Sequence, residues 1–149
     1  MQLLSRRSML GIAAVVDIAH HARPAPVAAK SLAARHALPP RHLETLLQAL
    51  VRHGILKGVR GPRGGYELAK ERRRITAGEI VRAAMTASTP DDEPSPASRL
   101  VDQVVGPAVS RASDAFLSEL DRITVEDLCR DAEGKLVFGG APAGIDFAI

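Results

Sequence analysis

Val59-Arg60-Gly61-Pro62-Arg63-Gly64-Gly65-Tyr66 is the stretch that decides the fold. Short apolar runs at 55–59 and 66–68 flank a loop of Gly, Pro and Arg, the composition of a β-hairpin with a positively charged tip. The glycines let the backbone come close to another surface, and the arginines supply charge for a polyanion. Immediately upstream, residues 40–53 form the clearest helix, because Leu43, Leu46, Leu47, Leu50 and Val51 repeat at helical spacing and make one core-facing stripe. Pro40 suits its first position, and Gly54 suits a left-handed cap after its end. The opposite face carries Arg41, Glu44, Thr45, Gln48 and Arg52, side chains able to donate to or accept from base edges and phosphates. A helix followed by a basic hairpin predicts a winged helix-turn-helix, a DNA-binding module.

Further upstream, residues 8–22 read as a helix that is apolar nearly all round and therefore central, with Met9, Ile12, Ala13, Val16 and Ala19 on one face. Arg23-Pro24-Ala25-Pro26 ends it. Residues 28–36 form a short helix with Leu32 and Ala33 inward, and Leu38-Pro39-Pro40 makes the turn. Downstream of the hairpin, residues 70–74 are a charged connector, and Thr76-Ala77-Gly78-Glu79 is a capping box opening a helix over 77–86 with Ile80, Val81 and Ala84 inward.

The second half has a different character. Residues 87–98 are polar, acidic and rich in proline, the composition of a linker. A long apolar stripe then runs through Val101, Val104, Val105, Ala108, Ala112, Phe116, Leu120 and Ile123, with Gly106-Pro107 kinking the helix or restarting it. So long a stripe in a 149-residue chain calls for a partner helix, which dimerisation supplies. Thr124 caps a last short helix over 125–131. The expected organisation is a winged helix-turn-helix domain at 1–86, a linker at 87–98, dimerisation helices at 99–131 and a flexible Gly-rich tail at 132–149. The fold class is mainly α with one small β-hairpin.

Charge divides the chain the same way. Residues 1–75 hold 14 Lys+Arg against 4 Asp+Glu, a net of +10, whereas residues 76–149 hold 6 against 13, a net of −7. The basic excess coincides with the helices and the hairpin, which favours a nucleic-acid surface over two ordinary solvated faces. With no Trp, one Tyr and three Phe, the chain lacks the aromatic platforms of base-stacking RNA or single-strand binders. The single cysteine, Cys129, excludes an internal disulfide and suits a reducing cytoplasm. Ser5-Arg6-Arg7-Ser8-Met9-Leu10 resembles a twin-arginine export signal, but Asp17 interrupts the apolar run, so a cytoplasmic protein with no membrane span is expected. The loop at 61–65 lacks the Gly-Lys-Ser/Thr ending of a phosphate cradle and has no general base nearby, so an enzyme is not expected.

In their order along the chain, Leu43-Glu44-Thr45-Leu46-Leu47, Gly54-Ile55-Leu56 and Val59–Leu68 resemble the Rrf-two (Rrf2) family of bacterial winged-helix regulators. Val16-Asp17-Ile18-Ala19, residues 75–80 and Ile123-Thr124-Val125-Glu126-Asp127-Leu128 extend the resemblance over about residues 3–131. It implies a transcription regulator, acting as a dimeric repressor, that holds double-stranded DNA at a palindromic operator. A long helix crosses between subunits, helix 40–53 enters the major groove and the wing enters the minor groove. By position, Glu44 accepts from a cytosine amino group and Arg60 enters the minor groove. Arg41 stands where the family often has a small polar residue. Arg6, Arg7, Gln48, Arg52 and Arg63 are candidates on charge and polarity, and Thr45, Gly61 and Gly64 complete the expected DNA-binding set.

One departure is decisive for cofactors. Many family members hold an iron–sulfur cluster through three cysteines ahead of the long helix, yet no Cys or His occurs from Thr86 to Leu128 here. Such a cluster needs thiolates or imidazoles, so none is expected, and Val109 stands in place of the family's usual tryptophan near the start of the long helix. What remains for sensing is an unknown effector or protein partner, or Cys129 as a redox switch, with a structural cysteine the plainer reading. Asp17, His20 and His21, spaced for a helical metal site, read instead as a solvated helix end.

Overall fold

The computed structural model describes residues 3–23, 25–87 and 98–138, without the side chains of Pro40 and His42. Its elements are α1 (Arg6–His21), α2 (Ala29–Arg35), α3 (Pro40–Arg52), β1 (Leu56–Val59), β2 (Gly65–Leu68), α4 (Ala77–Met85), α5 (Gly106–Leu120) and α6 (Val125–Gly134). A 3-10 turn, Arg72–Arg74, precedes α4, and a π-helical turn, Val101–Val105, runs into α5.

Leu43, Leu46, Leu47 and Leu50 of α3 are all buried, as the apolar stripe predicts. They share a core with Val15 and Ile18 of α1, Leu32 of α2, Ile80 of α4 and Val125 of α6. Burial of side chains of this size stabilises by roughly 1.5–3 kcal/mol each. The buried face of α1 differs from the expected one. Gly11, Ala14, Val15 and Ile18 point into the core, and of the expected set only Ala19 joins them, while Met9 is exposed. The reason is small-residue packing: a side-chain carbon on Gly11 would stand 3.4 Å from Ile80 and 3.5 Å from Ala84, so α1 lies close against α4 on that side. Ile12, Ala13 and Val16 instead border an open groove of about 370 Å³ shared with Leu128, Ala132 and Phe138.

Two helix ends in the first half of the chain share one geometry. At the end of α3, Gly54 has φ +73°, its N–H donates to Val51 (3.0 Å), and the Ile55 N–H donates to Leu50 (3.0 Å). This is a Schellman cap with glycine at the left-handed position. At the end of α2, Ala37 has φ +51°, its N–H donates to Ala34 (3.4 Å), and the Leu38 N–H donates to Ala33 (3.0 Å). It is the same cap built on an alanine, whose Cβ makes the left-handed conformation costly.

The hairpin pairs Leu56 with Leu68 and Val59 with Gly65 in antiparallel register. Val27 adds a third extended segment, exchanging backbone hydrogen bonds with Tyr66 at 2.8 and 2.9 Å. A Cβ on Gly65 would collide with the Val27 carbonyl, which is why the sequence needs glycine there.

The expected capping box of Thr76 and Glu79 opens α4, and Thr124 with Asp127 forms a second one at α6. The two caps lie side by side. The Ala77 N–H donates to Ile123 and the Val125 N–H donates to Ile75, both at 2.8 Å. Gly106-Pro107 does not break the long helix. The Gly106 N–H reaches back five residues to Val101, a widened turn that accommodates the proline. The last helix runs three residues past the expected 131, to Gly134, and Phe138 beyond it stacks on His20 at 4.2 Å, while residues 134–137 between them are exposed. The expected linker, 87–98, lies outside the described residues except for Ala87 and Ser98, as does 139–149.

Candidate nucleic-acid interface

The outer face of α3 is presented by its buried one. With Leu43, Leu46, Leu47 and Leu50 fixed in the core, Arg41, Glu44, Thr45, Gln48 and Arg52 are all left exposed. Between the hairpin strands, Arg60, Gly61, Pro62 and Arg63 are exposed, and Gly64 is half-buried. Gly61 has φ +112°, and the Gly64 N–H donates to its carbonyl at 2.9 Å, closing the tip as a tight turn. A Cβ on Gly64 would strike the Val59 carbonyl, so glycine is required there for space.

The cations at these positions differ from their neighbours. Lys57 pairs with Glu67 across the hairpin (3.0 Å), Lys70 with Glu79 (2.8 Å), Arg72 with Glu126 (2.6 Å) and Arg73 with Glu71 (2.6 Å). Arg6, Arg41, Arg52, Arg60 and Arg63 have no ion pair or side-chain hydrogen bond among the described residues. Their charge is therefore available to phosphates.

Two candidates from the sequence stand elsewhere. Arg7 is half-buried, and its guanidinium donates to the carbonyl of Ala87 after α4, tying α1 to the end of that helix. Cys129 is 1% exposed, in the core of α6. Burial pushes its thiol up, against the opposing pull of Arg72. A thiol so placed is a poor source of the reactive thiolate. It is also the single cysteine of the chain, and with no Cys or His from 86 to 128 the residues present do not fit a cysteine-held iron–sulfur cluster.

The end of α1 is not the solvated surface expected of it. Asp17 is 1% exposed and accepts from Arg35 at 2.6 and 2.9 Å, from His36 at 2.9 Å and from His21 at 3.1 Å. Burial pushes its carboxyl up, but Arg35, His21 and His36 together hold it below the ordinary value of 3.8. Its spacing to His21 was visible in the sequence, whereas Arg35 and His36 lie 18 and 19 residues away and carry no local signal.

Comparison with known proteins agrees with this geometry. The model of the Rrf2 family, described as iron-dependent transcriptional regulators, matches residues 4–131. The chain is 33% identical over 132 residues to the protein rrf2 of Nitratidesulfovibrio vulgaris, covering 87% of this chain and 88% of that one. It is 30% identical to the HTH-type transcriptional regulator CymR of Bacillus subtilis, covering 89% and 93%. Among solved structures, T. potens IscR superposes with a TM-score of 0.68 at 32% identity, over 90% of each chain. CymR of B. subtilis superposes with a TM-score of 0.64 at 29% identity, over 87% of this chain and 97% of that one. The exposed α3 face, the basic wing and these likenesses together make the chain a DNA-binding transcription regulator, a member of the Rrf2 family.

Proposed function

We propose that the chain acts in the cytoplasm as a homodimeric repressor, holding a palindromic operator without an iron–sulfur cluster. The observation that carries this reading is the apolar face of the long helix, which stands exposed among the described residues. Leu100, Val101, Val104, Val105 and Val109 are exposed at 44–65%, and no residue of α5 is buried. A second copy of the same face buries this stripe and sets two α3–wing units on one duplex. Protein symmetry then matches operator symmetry. In each half, α3 reads base edges through Glu44, Thr45, Gln48 and Arg52, while Arg60 and Arg63 reach phosphates or the minor groove. Arg6 and Arg41 add phosphate contacts.

The test begins with duplexes selected by the protein from a random pool. The selected sequence is expected to be an inverted repeat, and sedimentation is expected to give a dimer. The double substitution Val104→Glu and Val105→Glu is expected to give a folded monomer that has lost about 100-fold or more of its operator affinity, the advantage of two linked sites. A wild-type monomer, or a selected site without symmetry, overturns the dimer. Transcription from a promoter carrying the selected site is expected to fall when the protein is added, and a rise overturns repression. Protein purified without oxygen is expected to show no visible absorbance from a cluster.

A further inference from the structure

We propose that Asp17 is a positioning residue for DNA reading: its buried carboxylate holds Arg35 and His36 at the end of α2 and so fixes the turn from which α3 departs. This rests on the reading of α3 as the helix that enters the major groove.

The argument starts from the turn. Residues 36–39 are all that separates α2 from α3, and their geometry sets the angle between the two helices. Ala37 sits there at φ +51°, a conformation that is costly for an alanine. Leu32 and Ala33 bury one side of α2, but a helix of seven residues has little surface with which to fix its own end. The end is held by charge. The Arg35 guanidinium meets both oxygens of Asp17, with Nε 2.9 Å from Oδ2 and Nη2 2.6 Å from Oδ1. Two parallel bonds to a planar fork define an orientation as well as a distance. His36, the residue after α2, brings Nε2 to 2.9 Å from Oδ2. A carboxylate only accepts, so this nitrogen carries the hydrogen. From α1 itself, His21 Nδ1 lies 3.0 Å from the Asp17 carbonyl and 3.1 Å from Oδ1. His20 and Glu133, 4.0 Å apart, stand at the same corner, Phe138 stacks over His20, and Asp131 with Lys135, paired at 3.1 Å, lines the groove beside His36.

Stability alone does not explain such an arrangement. A buried ion pair is often no more stabilising than apolar side chains of the same volume, whereas its geometry can specify one arrangement over others. Here the arrangement specified is the exit of α2, one short turn before the base-reading face.

The role is separable from simple stability because specific and non-specific binding depend on it differently. Non-specific affinity comes from phosphate contacts and tolerates a misplaced helix, while operator affinity requires side chains in register with base edges. The experiment compares wild type with Asp17→Asn and with Ile80→Val, a core change remote from the clamp. Each is titrated against the selected duplex and against a scrambled duplex at a temperature where circular dichroism shows all to be folded. Asp17→Asn is expected to lose on the order of tenfold in operator affinity, the scale of one mismatched contact, with scrambled-duplex affinity unchanged. Ile80→Val is expected to change neither. Should Asp17→Asn not fold, His36→Ala removes one donor and leaves Arg35 in place, and the same loss in operator affinity, smaller in size, is expected. Undiminished operator affinity in the folded variants, or a parallel loss on both duplexes, overturns the role. Gln48→Ala and Arg52→Ala separate this failure from the other. If they too leave operator affinity unchanged, the reading of α3 falls and takes the proposal with it. If they lower it while the clamp variants do not, the positioning role alone falls.

Discussion

Arg60 and Lys57 are three residues apart on one hairpin and have opposite circumstances. Lys57 is held by Glu67 at 3.0 Å, whereas Arg60 stands in solvent with no acidic partner among the described residues. A cation already neutralised has little left for a phosphate, and an unpaired one releases counterions when it meets DNA. Arg60→Ala is therefore expected to weaken operator binding by roughly 1–3 kcal/mol, read from an anisotropy titration. The same change at Lys57 is expected to cost less. Equal affinity for wild type and Arg60→Ala removes the wing from the interface. Cys129 shows burial deciding against chemistry: its thiol is 1% exposed and pushed up. Its reaction with a thiol reagent is expected to proceed only as fast as the protein opens, and immediate labelling of the native protein would restore it as a redox candidate.

At the scale of elements, the matched caps of α2 and α3 give a comparison inside one molecule. Both close by the same pair of backbone hydrogen bonds, one on Gly54 and one on Ala37. Ala37→Gly relieves the left-handed cost but loosens the unfolded chain, for a net gain of about 0.5–1 kcal/mol. The melting temperature is expected to rise by roughly 1–4 °C. A fall in a calorimetric scan indicates that the alanine methyl is making contacts worth more than the strain. The elements also show what a sequence can reveal. The stripe of α3 and the Gly-Pro-Arg tip were legible because their signals are local: apolar residues recur every three or four positions, and glycine fills positions where the backbone has no room for a Cβ. The face of α1 was not legible, because a helix apolar nearly all round carries no periodic direction, and the choice fell to whichever side offered Gly11 and Ala14 to α4. Arg7 and Asp17 escaped for another reason. Their partners lie 80 and 18 residues away, and only the folded chain brings them together.

For the whole molecule, the Asp17 cluster predicts a response to acid. Its carboxyl titrates below 3.8 in the folded chain. The group's contribution is thus complete above the ordinary carboxylate value and is lost as pH falls below it, through the folded value. Urea unfolding is expected to show wild type more stable than Asp17→Asn at pH 6, with the gap narrowing at pH 3. A gap independent of pH would mean that folding leaves the carboxyl's titration unshifted, and a gap that widens in acid would mean that the carboxyl is neutral in the folded state. The division of charge, +10 in residues 1–75 against −7 in 76–149, places the attraction for DNA in the half that carries α3 and the wing.

The paired caps of α4 and α6 have a mechanical consequence. Their two backbone bonds, with Arg82 meeting Asp121 at 2.6 Å beside them, fasten the long helix at its C-terminal end to the half that carries α3 and the hairpin, while residues 107–115 are exposed. The helix is thus a lever with its fulcrum at Ile123 and Thr124. At 15 residues, α5 reaches about 22 Å, so a tilt of about 5° at the fulcrum displaces its far end by about 2 Å. In a pair of such molecules joined along their levers, a displacement of that size changes the separation of the two reading heads, and the spacing between operator half-sites becomes a ruler for the angle at that fulcrum.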